Sequence, residues 1–207
     1  MAEAQTYPSL KRFLAPSLAD IGSKQRETFA NSFGDAALGL AILENRRLEE
    51  RVLEQIVNSE SALDAKQIEG TQDAVVIELL MARSVAELEL LMGMVWHKLT
   101  VLDWLTWGRL GLMLPGVDGV IARIAVSAVD AKARADAGAP NEALADLPPS
   151  HLREDGALLL ASWMASLSPE LAARLQLFAA IEPGHPDDRF ARLVQISAQA
   201  LYAAGAS

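Results

Sequence analysis

Residues 84–114 read SVAELELLMGMVWHKLTVLDWLTWGRLGLML, and the rest of the chain is organised around them. Three of the four tryptophans fall here, at 96, 104 and 107. Ser84 and Glu87 have capping-box spacing: the hydroxyl can accept the Glu87 amide while the carboxylate reaches back to the Ser84 amide. From there Leu88, Leu91, Met92, Val95, Trp96 and Leu99 recur at helical spacing. At about 100° per residue, Trp107 lies roughly 20° from Trp96, and Trp104 roughly 80° from it. A continuous helix would gather one wide aromatic face. The β-branched Thr100 and Val101, following Lys98, open the alternative of a break near residue 100. The expectation is one central helix, or a helix pair, around which the others pack.

Outward from this stretch the pattern stays helical. Residues 36–58 carry Leu38, Ile42, Leu48, Val52 and Ile56 at helical spacing, with Arg46, Arg47, Glu49, Glu50, Arg51 and Glu54 on a charged face. Gly70–Thr71 opens a helix running through Val76, Leu79 and Leu80 to Arg83. Pro115–Gly116 stops the central stretch, and Asp118 caps a helix expected over 119–137, which Gly138 and Pro140 end. Residues 138–149 are expected as an internal loop, since the 58 residues that follow could hardly build a core alone. Helix 150–166 places Leu158, Leu159, Ala161, Ser162 and Trp163 on its apolar side. Ser168, Pro169 and Glu170 restart the chain as N-cap, first helical residue and first-turn acid. Leu171, Leu175 and Phe178 face inward, and Asp187–Asp188 begin the last helix. Residues 1–35, punctuated by Pro8, Pro16, Gly22 and Gly34, form an irregular N-terminal segment of short helices and loops. The expected fold is all-α: a single domain over 1–207, built as one irregular bundle of about seven helices.

Composition narrows the function classes. The chain is 51% hydrophobic and 22% charged, a globular balance. Its net charge of −9 is spread evenly, with 9 positive and 13 negative groups in residues 1–83 against 9 and 14 in 84–207. No basic face for nucleic acid is expected, and anionic lipid is disfavoured. Without cysteine there is no disulfide, thiolate metal site or thiol nucleophile. The N-terminal MAEAQTYPSLKRF lacks an apolar core and a cleavage site, so no signal peptide is expected. Lys98, Asp103 and Arg109 interrupt the most apolar windows below the length of a membrane span. The reading is cytoplasmic, without direct membrane insertion.

No catalytic constellation emerges. The glycines at 108, 111, 116 and 119 lack the spacing, strand and lysine of a phosphate loop. His97, His151 and His185 have no second ligand at metal-binding helical spacing. His97, beside Trp96, reads as a hydrogen-bonded side chain at the core edge. Glu154–Asp155 and Asp187–Asp188 are adjacent in sequence and lie at helix starts, where negative charge is favourable anyway. No catalytic, cofactor-binding or metal-ligating residue is assigned.

Two segments carry a family resemblance. Gly93-Met94-Val95-Trp96-His97 resembles the small-residue-then-Trp-His segment of the SctK/YscK family of type III secretion accessory proteins. Gly156-Ala157-Leu158-Leu159-Leu160-Ala161-Ser162-Trp163, followed by Leu167, Leu171, Arg174 and Leu175, resembles that family's Gly–Leu–Trp–Leu-Pro–Leu–Arg-Leu run. Here the proline follows Ser168 and not Leu167. The likeness spans roughly residues 80–180. It implies a non-enzymatic adaptor peripheral to the inner-membrane secretion apparatus. Its partners would be the cytoplasmic domain of the ring protein (SctD-like) and the pod protein (SctQ-like). Trp96, His97, Trp163 and Arg174 are then structural, with Arg174 pairing or capping. Arg46, Arg47 and Arg51, the one cluster of positive charge, are the candidate docking residues for an acidic partner. The competing reading is a small-molecule-binding or enzymatic bundle with a pocket beside the Trp96–Trp107 helix. A third is an export chaperone with a dimer groove.

Overall fold

The computed structural model describes residues 7–58, 68 and 71–205. The first six residues of the irregular N-terminal segment and Gly70 therefore lie outside the described residues. Thirteen α-helices and no strand occur among those described. They are α1 Pro8–Leu14, α2 Ser23–Asn31, α3 Ala36–Glu44, α4 Glu49–Asn58, α5 Gln72–Ala82, α6 Val85–Trp96 and α7 Lys98–Thr106, then α8 Leu110–Met113, α9 Gly119–Ser127, α10 Ala131–Ala137, α11 Pro149–Ser166, α12 Pro169–Gln176 and α13 Asp188–Ala203. A 3-10 turn, Leu18–Asp20, joins α1 to α2.

The all-α class agrees with the sequence, and the count of about seven does not. Two expected helices are broken, and the central stretch divides close to the break near residue 100 that its sequence allowed. Residues 36–58 divide at Asn45, whose side-chain oxygen accepts the Arg47 amide at 3.1 Å, a local turn that competes with the helix ladder. Residues 119–137 divide where the Asp130 carboxylate accepts the Ala133 amide at 2.7 Å and starts a fresh helix. The central stretch breaks at His97, with φ −94° and ψ 36°, and again at Gly108, which takes φ 66°. Its tryptophans therefore share no face. Trp104 is buried and Trp96 meets Phe190 edge-on at 5.4 Å, while Trp107 is 70% exposed.

The start signals hold. Ser84 and Glu87 exchange both capping-box bonds, at 3.1 and 3.2 Å. Thr71, Asp118, Ser168 and Asp187 each accept a first-turn amide.

Packing centres on α6 crossing α11. Helix α13 lies against α11 and α5, α1 lies on α5, and α9 covers α6 and α7. Helix α5 is buried almost all round, from Ala74 to Leu80. The internal loop is tied down: Leu147 is buried, and the Leu144 amide donates to Thr100 Oγ1 at 2.9 Å. A second, smaller core joins Leu18, Ile21, Ala30, Leu43, Val52 and Ile56 to Leu177. Phe178 packs against both cores. Leu38 and Leu158, expected among the apolar positions of their helices, are instead 52 and 62% exposed, and Val120 on α9 is 57% exposed. No helix among the described residues is long and apolar enough to cross a membrane.

Candidate functional site

The residues that stand out in the sequence meet first at the α6–α11 crossing. A Cβ on Gly93 would lie 1.8 Å from the Leu152 carbonyl oxygen, and one on Gly156 would lie 1.8 Å from that of Glu89. The two backbones are therefore in direct contact, an approach that only glycine permits. At the end of α6 the buried His97 places Nε2 2.6 Å from Asp155 Oδ2. With Asp155 as the acceptor, Nε2 carries the proton. Nδ1 is buried and has no hydrogen-bond partner among the described residues. A catalytic base needs its working nitrogen within reach of a substrate proton. Here one ring nitrogen is held by Asp155 and the other is closed off inside the protein.

The break at His97 leaves the last carbonyls of α6 open, and Arg134 from α10 fills them. Its Nε donates to Val95 O at 2.9 Å, and its Nη2 donates to Trp96 O and Pro140 O at 2.8 Å each. Burial lowers the pKa of this guanidinium without removing its charge at neutral pH. A positive group at a helix C-terminus also complements the helix dipole.

Arg174 does the same for α1. It donates to Phe13 O and to Leu14 O at 3.2 Å, with its guanidinium 6.0 Å from the ring centres of Phe13 and Phe178. At the other end of α1 the buried Glu78 carboxylate accepts the Ser9 and Leu10 amides at 3.2 and 2.7 Å. A negative group at the N-terminus and a positive one at the C-terminus thus clamp a helix of seven residues, too short to persist alone. Trp163 is fully buried, and its Nε1–H donates to Asp73 Oδ1 at 2.8 Å. Gln195 donates to the same oxygen at 2.7 Å. Trp163 is thus packed in the core, and Arg174 caps α1. Sequence reasoning missed Asp155, Glu78, Asp73 and Arg134. Each acts across a tertiary contact that periodicity does not encode.

The three candidate docking arginines lie together in the turn between α3 and α4 and on the first turns of α4. Arg46, Arg47 and Arg51 are exposed and make no ion pair with any described residue. Glu44, Glu49, Glu50 and Glu54 surround them, so the cluster is locally mixed in sign. Leu14, Pro16, Glu50, Leu53, Glu54, Val57 and Arg174 line a cleft that includes none of the three arginines. A second, charged cleft lies between α10 and α13, lined by Asp130, Lys132, Asp136, Asp188, Arg189 and Arg192 among others. Among the described residues, no group of three histidine or acidic side chains is placed to hold a metal ion.

Comparison of the chain with family models, curated proteins and solved structures gives no match.

Proposed function

We propose that this protein is a non-enzymatic adaptor of a type III secretion sorting platform. It would link the cytoplasmic domain of the inner-membrane ring protein to the pod protein. The observation that supports the reading is how the resembling residues are used. Gly93 and Gly156 form the helix crossing, His97 is locked to Asp155 beside it, Trp163 is buried two turns further along α11, and Arg174 caps α1. Such a use of these residues is in keeping with a scaffold that acts through its surfaces.

The chain carries −9, so at least one partner surface is expected to be basic, with association slowing as salt rises. Arg46, Arg47 and Arg51 are the candidate contact for an acidic patch on the other partner. The test is co-purification with the ring protein's cytoplasmic domain and, separately, with the pod protein. Deletion in cells is expected to stop secretion and disperse the pods while the membrane rings still assemble. Continued secretion in the deletion strain, with neither protein bound, rejects the assignment.

A further inference from the structure

Arg174 is 5% exposed, and its charge meets no acid. Its Nε and Nη2 donate to the Phe13 and Leu14 carbonyls, which leaves Nη1 for a further acceptor. It makes no ion pair with a described residue. Carbonyls satisfy its donors without neutralising it, and a cation taken out of water is costly when no counter-charge faces it. The cleft of about 340 Å³ that it lines holds two candidates for that role. Leu14, Pro16 and Arg174 line it from the main body around α6 and α11, and Glu50, Leu53, Glu54 and Val57 line it from α4. Those four α4 residues stand at i, i+3, i+4 and i+7, so they share one helix face. Both glutamates are exposed and make no ion pair with a described residue. Four positions apart on a helix, they repel each other.

The wall that carries the glutamates belongs to the outer layer, whose close helix contacts are among α2, α3 and α4 themselves. Its hold on the main body gathers around the end of α12. There the Gly22 amide donates to Leu177 O at 2.8 Å, the Gln25 side chain donates to Gln176 O, Lys24 reaches Glu182 at 4.0 Å, and Leu177 enters the smaller core. A layer held along so short a line can pivot on it, with a few residues absorbing the change. An acidic ligand from outside would have to pass Glu50 and Glu54, and a basic one would meet Arg174. The complementary charges are the two walls of the cleft. We infer that the α2–α4 layer is a hinged flap that closes this cleft by bringing Glu50 or Glu54 onto Arg174. Closure also covers Leu14, Pro16, Leu53 and Val57. Arg46, Arg47 and Arg51 ride on the same layer, so its two positions present that cluster differently to any partner. The flap stands independently of the adaptor reading.

The chain has no cysteine, so thiol labels go only where a cysteine is introduced. The experiment places spin labels at Lys11→Cys on α1 and Gln55→Cys on α4, both exposed, and reads their separation in the full chain by pulsed electron paramagnetic resonance. The expected result is a closed population at shorter distance, reduced about tenfold or more by Glu50→Gln with Glu54→Gln, as for loss of a hydrogen bond between charged groups. Glu50→Lys with Glu54→Lys should leave only the longer distance. Both glutamates are exposed, so neither pair of changes is expected to disturb folding. A distance distribution that neither double variant shifts overturns the inference, and so does a shorter distance that persists in both. A small molecule retained by the wild type in native mass spectrometry and lost from the Glu50→Gln/Glu54→Gln variant also overturns it, since the cleft then serves a ligand.

Discussion

The α6–α11 crossing and the α2–α4 layer use glycine alike and end differently. At the crossing, Gly93 and Gly156 bring two backbones together, and side-chain bonds tie the main body: Trp163 of α11 to Asp73, Arg134 of α10 to the end of α6, and Glu78 of α5 and Arg174 of α12 to α1. In the outer layer, a Cβ on Gly39 would come within 2.2 Å of Ala30 O, so α3 also touches α2 through its backbone. Yet around that contact Leu38 and Leu40 remain 52 and 48% exposed, and only Gly39 and Leu43 of α3 are buried. Close backbone approach fixes a helix in place without burying its side chains. Hydrophobicity in a sequence is therefore not a measure of burial, and α3, for all its apolar residues, is mostly surface.

That contrast can be broken by substitution. The largest effect is expected from Gly156→Val, whose new methyls meet a backbone carbonyl that cannot rotate away. The loss should exceed about 4 kcal/mol, enough to unfold much of a domain of typical stability, about 5–15 kcal/mol. Gly39→Ala should instead melt the smaller core first and leave the main transition in place. If both glycine variants lower the main transition equally, the two cores form one cooperative unit and the contrast fails.

Next comes Trp163→Ala, expected to cost about 3–5 kcal/mol in denaturant unfolding. A midpoint that barely moves would mean that the ring is not the packed centre described here. Arg174→Met should cost about 1.5–3 kcal/mol, the range for hydrogen bonds to a charged group, and speed amide exchange within Pro8–Leu14. Unchanged exchange there would show that the clamp on α1 is idle. Leu38→Gln and Leu40→Gln, on the exposed faces of α3, should each stay within about 0.5 kcal/mol of wild type. Larger losses would mean that α3 is covered in solution.

The smallest effect is electrostatic. Arg189 donates to Asp187 by side chain and by backbone, and these bonds hold the Asp187 carboxyl at about 2, below its ordinary 3.8. Its folded value is depressed, so its contribution is fully present above the unfolded value and fades as pH falls from near 4 towards 2. Asp187→Asn should flatten that part of the acid-unfolding profile slightly and leave neutral-pH stability almost unchanged.

What could be read from the sequence was local. The Ser84–Glu87 box, the caps at Asp118 and Ser168 and the burial of Trp163 depend on neighbours within one or two turns. The breaks were harder, because a turn such as Asn45–Arg47 competes with the helix by a single side-chain bond. The His97–Asp155 bond spans 58 positions, and the Glu78 clamp spans 68 and 69. No periodicity carries such pairings, so they became visible only with the fold. The candidate docking residues were legible as a charge cluster in Arg46, Arg47 and Arg51. The exposure of Trp107 was not, since its angular position placed it with Trp96, a register that the break at His97 removes.

The central claim is that the resembling residues build a scaffold and that this scaffold holds two partners at once. Size-exclusion chromatography with light scattering, on the protein mixed with the ring protein's cytoplasmic domain and the pod protein, tests it most directly. The account predicts a ternary complex whose mass includes all three chains. The complex should weaken when Arg46, Arg47 and Arg51 are reversed together to Glu, while circular dichroism stays unchanged. Three chains eluting separately at concentrations that maintain secretion in cells would contradict it.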